Sequence, residues 1–303
     1  MTDFSIMLMK KIGFSDEEQS FVEELSTKYE NNATYLELLD KFDKELIKSD
    51  ELDEKLEKEA EKNGDHVYSL RLLFCLEAAE AALPKYLKLG YTEDLFYSNM
   101  KDIKCKLDVG ESAFGVMGVQ APMAWFDRFY VPDRFWLGRF QFETMPFFEG
   151  CDDKTLEKYE KDGVVIKKGD TVINVHIPEG SGPMTEELAF EAYDMACDFY
   201  KEMYEKQGYL VFVCHSWLLY DKHPLFLSPE SNIIKFMNQY DILDPVEEDK
   251  FGNGWRVFGS EFTEEYEKLP EKTSLQRAYK KWLCDGNKAG YAYGIRIHRK
   301  GDR

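Results

Sequence analysis

The stretch Thr171-Val-Ile-Asn-Val-His-Ile-Pro-Glu-Gly-Ser-Gly-Pro183 is followed by an amphipathic run from about Thr185 to Gln207 and then by Tyr209-Leu-Val-Phe-Val-Cys-His-Ser-Trp-Leu-Leu219. The two apolar runs predict strands, and the spacing between them predicts a long helix. A strand, glycine-bearing loop, helix and second strand in that order aim the first amides of the helix, with their partial positive charge, above the end of the first strand. The unit reads as a cradle for a phosphorylated cofactor.

Outward from this unit the signal keeps its period of two. In Leu137–Glu143 the residues Arg139, Gln141 and Glu143 face one way and Phe140 and Phe142 the other. Val164–Lys167 and Thr171–Ile177, joined through Lys168-Gly-Asp170, predict a hairpin. Helices are expected over Ser231–Tyr240 and Ser274–Cys284, the latter stopped by Gly286, with a last strand over Tyr291–His298. Upstream the texture is helical. Ser15 and Glu18 have capping-box spacing; Leu36, Leu39, Phe42 and Leu46 suggest one helical face; a run from Val67 to Ala82 is expected to end at Pro84; Thr92 can cap a run to Leu107. Small residues and glycines between Gly110 and Gln120 mark a change. The expected organisation is a helical N-terminal domain over 1–125 and a mixed α/β domain over 126–303.

Composition bounds the function. The 303 residues carry a formal charge of −19, and residues 1–65 alone hold nineteen Asp/Glu against nine Lys/Arg. Such a field repels phosphate backbones and anionic membrane surfaces, so neither a nucleic acid nor a membrane is expected as partner. It favours a cationic partner and opposes polyanions unless the site is locally positive. Nothing resembles a signal peptide or a membrane span, which makes the cytoplasm the expected location. The six cysteines (75, 105, 151, 197, 214 and 284) form no C-x-x-C and no zinc-ligand cluster, so reduced thiols and no metal are expected.

Leu137-Gly-Arg-Phe-Gln-Phe-Glu143, Asn174-Val-His-Ile-Pro-Glu-Gly180, Val213-Cys-His-Ser-Trp-Leu-Leu219, Ser231-Asn-Ile-Ile-Lys-Phe236, Val257-Phe-Gly259 and Leu269-Pro-Glu-Lys-Thr-Ser-Leu-Gln-Arg277 occur in that order. Together they resemble the bacterial acyltransferase-domain family, which pairs a helical N-terminal domain with a GNAT-like (Gcn5-related N-acetyltransferase) C-terminal domain. The resemblance is good from about Asp127 to His298 and looser before it. It implies a GNAT-like mixed sheet, coenzyme A or acetyl- or acyl-CoA as co-substrate, and transfer of the acyl group to a small-molecule or peptide amine by direct attack.

On that resemblance the pyrophosphate loop falls on Ile177, Gly180, Ser181 and Gly182. Ile177 stands where the family has Arg or Gln, Pro183 supplies no N–H, and Glu186 and Glu187 open the helix. An ordinary capped loop is the competing reading. Glu143, His176 and His215 are the candidate acid–base groups, since acyl transfer needs a base for the ammonium proton and an acid for the leaving thiolate. Each could instead be a hydrogen-bonded or ion-paired structural residue. The family's tyrosine acid falls on Met237, leaving Tyr240 as a nearby substitute. A degenerate GNAT fold that binds a ligand or protein without turnover is the alternative.

Overall fold

The computed structural model describes residues 1–147 and 153–303, and the chain divides into two compact units, Met1–Trp136 and Leu137–Arg303. The first unit is helical: α1 (Asp3–Ile12), α2 (Asp16–Tyr29), α3 (Ala33–Asp43), α4 (Ser49–Asn63), α5 (Val67–Lys88), α6 (Glu93–Phe114) and α7 (Met123–Tyr130). Ser15 and Glu18 form the expected capping box, with amide-to-side-chain contacts of 3.2 and 2.7 Å. Thr92 caps α6 through the Leu95 amide. Three expectations fail here for physical reasons. The buried face of α3 is Tyr35 and Leu38, whereas Leu36 is 45% exposed and Leu46 lies beyond the helix. Pro84 does not end α5, because a helix whose Leu70–Ala82 stretch is so deeply buried is held by packing through the lost hydrogen bond. The glycines after Val109 mark close backbone packing: a Cβ on Gly118 would lie 2.3 Å from the Tyr68 carbonyl carbon, and α6 runs on to Phe114.

Next come β1 (Arg134–Leu137), β2 (Phe140–Pro146), α8 (Asp153–Glu160), β3 (Thr171–His176), α9 (Glu186–Phe199), α10 (Lys201–Gln207), β4 (Leu210–Ser216), α11 (Asn232–Met237), β5 (Asp241–Glu248), α12 (Gly254–Phe258), α13 (Ser274–Cys284) and β6 (Ala289–His298). The mixed sheet has the order β1-β2-β3-β4-β6-β5; β3 and β4 run parallel, and the pairs β2–β3, β4–β6 and β5–β6 are antiparallel. The parallel pair encloses the helical crossover legible in the sequence, bent into α9 and α10 at Tyr200.

The expected strand Leu137–Glu143 is instead a turn followed by a strand. Gly138, at φ 61°, and Arg139 carry the chain from β1 to β2, which removes Arg139 from the polar row. Nor do Val164–Lys167 form a ladder with β3; that place belongs to β2, and Val164 and Ile166 point into the core from an irregular segment.

Each sheet face has its own role. Phe140 and Phe142 of β2 and Phe212 of β4 pack on Tyr193 of α9 with ring centroids 5.0–6.4 Å apart, forming an aromatic layer. A fully buried ring of this kind contributes roughly 1.5–3 kcal/mol. On the opposite face Val172, Val211, Val213 and Ile295 join Phe147, Tyr159, Val164 and Ile166 in a second apolar cluster. That second face turns polar along β3 and β4 toward their C-terminal ends, which places the candidate site there.

Candidate functional site

The alternation of β2 and β3 fixes which side chains meet. Antiparallel pairing sets Glu143 opposite Asn174 and Gln141 opposite His176, so all four stand on the face that carries Val172. His176 Nε2 lies 2.8 Å from Glu143 Oε1, and Asn174 Nδ2 donates to the same oxygen at 3.0 Å. Asn174 Nδ2 is also 3.1 Å from His176 Nε2. With Glu143 ionised, one assignment satisfies the cluster: Nε2–H and Nδ2–H both donate to Oε1, and the imidazole lone pair resides on Nδ1. Glu143 is buried and His176 half-buried.

Parallel pairing of β3 with β4 is confined to Ile173↔Phe212 and Asn174↔Val213. Beyond those pairs the ladder ends, so His176 and His215 sit past the last register of the two strands. His215 shares the face of Val213; Cys214, alternating with it, is fully buried, its thiol held well above the usual range by desolvation, and belongs to no dyad with His215. The His215 ring stacks on Tyr293, its partner on β6, at 4.5 Å, and meets the Tyr291 edge at 4.7 Å. Desolvation by these surroundings lowers its pKa, with Asp244 opposing the shift, so the ring is neutral at pH 7. Asp244 has φ 43° at the irregular step of β5. The structure thus joins Glu143 and His176 and keeps His215 on a neighbouring strand in an aromatic setting. Asn174 was visible in the sequence only as a neighbour of His176 at i+2. The role of Tyr291 and Tyr293 depends on the β4–β6 register, and β5 went unrecognised.

The glycine loop is built around Arg139. Its guanidinium donates to the carbonyls of Pro178 at 3.0 Å and Pro183 at 3.3 Å, and pairs closely with the Ser181 hydroxyl, which itself donates to Pro178 O at 3.0 Å. Ser181 is therefore part of the loop's internal bracing. Gly182, at φ 82°, is exposed, and a Cβ there would meet no atom within 4 Å. Ile177, the first residue past β3, is half-buried. Glu179 pairs with Arg256. At the start of α9, Thr185 accepts from the Leu188 amide at 3.4 Å, and the Glu187 carboxyl is held below its usual range by its own amide and the Thr185 hydroxyl. The exposed Gly182 and the end of the β3–β4 ladder leave backbone uncovered beside the loop, whereas the helix-end amides are already answered by Glu187 and Thr185.

Tyr240 is not an accessible acid. It is buried, with its hydroxyl 2.8 Å from that of Tyr193, and desolvation holds its pKa well above the usual value. The described cysteines are free, and Cys151 lies outside the described residues. Glu18, Asp108 and Glu111 converge in the first unit, where the Lys104 ammonium sits 2.7 Å from Glu18 and pairs with Asp108. No helix among the described residues is long and apolar enough to cross a membrane.

Comparison with known proteins gives a consistent result. The model of the GNAT-like C-terminal domain matches residues 135–296, and that of the N-acyltransferase N-terminal domain matches residues 4–131. No curated protein matches the chain in sequence. Among solved structures, an acyltransferase mutant in complex with octanoyl-CoA aligns with TM-score 0.72 at 16% identity over 97% of this chain and 88% of its own. An acyltransferase with CoA and 10C-teicoplanin aligns with TM-score 0.71 at 17% identity, covering 97% of this chain and 88% of that one. A further acyltransferase, with decanoyl-CoA and teicoplanin, aligns with TM-score 0.62 at 17% identity over 97% and 99% of the two chains. The protein belongs to the family defined by the GNAT-like C-terminal domain, here preceded by an N-acyltransferase N-terminal domain.

Proposed function

We propose that the protein is an acyl-CoA-dependent N-acyltransferase acting on an amine, with Glu143 and His176 as the proton-accepting pair. The observation that carries this reading is the 2.8 Å contact between them, beside the point where β3 and β4 cease to pair. Acyl-CoA supplies the activated thioester. The acceptor, once deprotonated, forms its N–C bond to the thioester carbonyl carbon as the C–S bond breaks. In this reading His176 takes the acceptor's proton on Nδ1, with Glu143 stabilising the imidazolium that results. The His176 imidazolium then carries the proton that the departing sulfur needs, and His215, neutral on the neighbouring strand, is the acid–base candidate to hydrogen-bond that sulfur through its N–H. Gly180, Ser181 and Gly182, braced by Arg139, are the proposed pyrophosphate loop.

The acceptor is proposed to be a small-molecule amine, a reading supported by the teicoplanin complexes of the structural neighbours and by the acidity of this chain. The neighbours' octanoyl and decanoyl complexes make medium-length acyl groups the first to try, ahead of acetyl. A cytoplasmic location remains part of the proposal.

A second reading, a ligand-binding GNAT fold without turnover, is favoured by the inaccessible Tyr240 and by Glu187 at the helix start. Thermal shift and calorimetry with CoA, acetyl-CoA and octanoyl-CoA, followed by thiol release in the presence of amines, separate the two. Binding at saturation of a hundred times Kd adds about 2.7 kcal/mol of stability. Binding with thiol release on adding an amine supports the enzyme; binding that never leads to acyl transfer supports the second reading; no CoA binding at all rejects the enzyme and leaves only a fold that binds another ligand or a protein.

A further inference from the structure

The helical N-terminal unit contains a cavity of about 360 Å³, within the size range of small-molecule sites, whose apolar wall is Phe42, Ile47, Tyr130 and Val131. The Phe42 and Tyr130 rings meet edge to face at 5.5 Å. The Tyr130 hydroxyl is turned away, donating to the Cys75 carbonyl at 2.7 Å, so this residue offers the cavity only its ring. Val131 is 52% exposed, as is 71% of Leu46 beside Ile47 in the sequence, which leaves apolar surface uncovered around the cavity.

The charged groups on the wall are unequal. Lys85 pairs with Glu45 at 2.8 Å, and Arg128 pairs with Asp133. Asp127 is left over: half-buried on α7, its carboxylate has no hydrogen bond or ion pair among the described residues. The lining thus carries three carboxylates against two cations. An unpaired carboxylate held against apolar walls is costly to keep, and a cation is the partner that offsets the cost.

We propose that this cavity is a binding site for an organic ammonium, a protonated amine on an aliphatic or aromatic body. The apolar wall takes the body, Asp127 receives the N–H donors, and the Phe42 and Tyr130 rings favour a cation over an anion. A neutral molecule of the same shape gains only the apolar contacts, and an anion meets the surplus carboxylate. The inference rests on the N-terminal unit alone and is independent of any acyl transfer.

The test is a titration of methyl-labelled protein at low salt with 2-phenylethylammonium, 2-phenylethanol and 3-phenylpropionate, read at the Ile47 and Val131 methyl signals. The ammonium is expected to bind at least about tenfold more tightly than the alcohol, as a charge-assisted hydrogen bond allows, with the propionate weakest. Asp127→Asn is expected to bring the ammonium to the level of the alcohol, and Val131→Trp to abolish binding of both by filling the mouth. Equal affinity of ammonium and alcohol, a preference that survives Asp127→Asn, or no binding of any probe at millimolar concentration overturns the proposal. If Asp127→Asn does not fold, the wild-type probe comparison and Val131→Trp decide it.

Discussion

His176 Nε2 and Glu143 Oε1 are held 2.8 Å apart on adjacent antiparallel strands, and Asn174 donates to the same carboxylate oxygen from directly across the ladder. With Glu143 ionised, this geometry places the His176 proton on Nε2, and a proton acceptor needs its tautomer set before its basicity matters. Removing the charge while keeping the shape isolates that role. Glu143→Gln is expected to lower turnover about 10²- to 10⁴-fold with acyl-CoA affinity nearly unchanged. His176→Ala should do the same, and the double variant should be little worse than either, because the proposed pair would act as a unit. Steady-state thiol release and calorimetry on the same samples decide the matter; multiplicative losses would separate the two residues.

Strand alternation in the sequence puts Arg139 in a polar row, and the structure gives it to the loop instead. Its fork spans the carbonyls of Pro178 and Pro183 and the Ser181 hydroxyl, a geometry that lysine cannot reproduce. Arg139→Lys is expected to destabilise the C-terminal unit by about 1–3 kcal/mol and to weaken acyl-CoA binding while leaving Glu143 and His176 in place. Urea melts and titration with CoA measure both effects. A folded variant with unaltered CoA affinity would detach the loop from cofactor binding.

Gly182 offers a separate test of the same loop, since a Cβ there would meet no atom within 4 Å and its φ of 82° is the one source of strain for a side chain. Gly182→Ala introduces strain of about 1–2 kcal/mol, whereas Gly182→Asp introduces less strain, because aspartate tolerates that backbone better, and adds a negative charge. If pyrophosphate lies here, the Asp variant must lose far more CoA affinity than the Ala variant at high and low salt alike, with the larger gap at low salt. Equal losses would mean that only loop shape matters.

The site was legible where a single strand's alternation carried it. Glu143, Asn174 and His176 follow from period two on β2 and β3, and the parallel crossover follows from the length of the helical run between β3 and β4. What could not be read were features set by tertiary contact. The turn at Gly138 looks like strand because Leu137 and Phe140 flank it with the right polarity. Pro84 looks like a stop because propensity takes no account of burial along α5. The β5 strand hides behind Asp244, with its φ of 43°, and Pro245 next to it. The glycines at 110 and 118 read only as a change of texture in the sequence, although each is required by an approaching backbone.

That last reading leads to a stability test. A Cβ at Gly110 would lie 2.0 Å from the Gly118 carbonyl oxygen, and one at Gly118 would lie 2.5 Å from the Ser69 amide nitrogen. Because the obstructing atoms are backbone, no rotamer change relieves the clash. Gly110→Ala and Gly118→Ala are each expected to destabilise the N-terminal unit by about 1–3 kcal/mol or more, despite alanine's better helix propensity at position 110. Chemical denaturation is the measurement, and a stabilised Gly110→Ala variant would contradict this packing.

The unpaired carboxylate of Asp127 has its own signature in stability. Desolvation first, then the Asp53 carboxylate, raise its pKa to about 6, against relief from Arg128 and a small further push from Asp50. The folded state therefore holds this proton more tightly than the unfolded chain, whose aspartate titrates near 3.9. Between about pH 4 and 6 the native state binds more protons, so this residue's contribution to stability falls as pH rises through that window and is flat above it. Asparagine cannot ionise. The stability of Asp127→Asn relative to wild type is thus expected to rise by about 1–2 kcal/mol from pH 4 to pH 7.5, after allowance for partial exposure. Urea denaturation of both proteins at the two pH values checks it, since titrations common to both cancel in the difference. A pH-independent difference would show that Asp127 is well solvated or paired in solution. A rise that disappears on adding 2-phenylethylammonium to the wild type would show the ligand supplying the partner that the fold withholds.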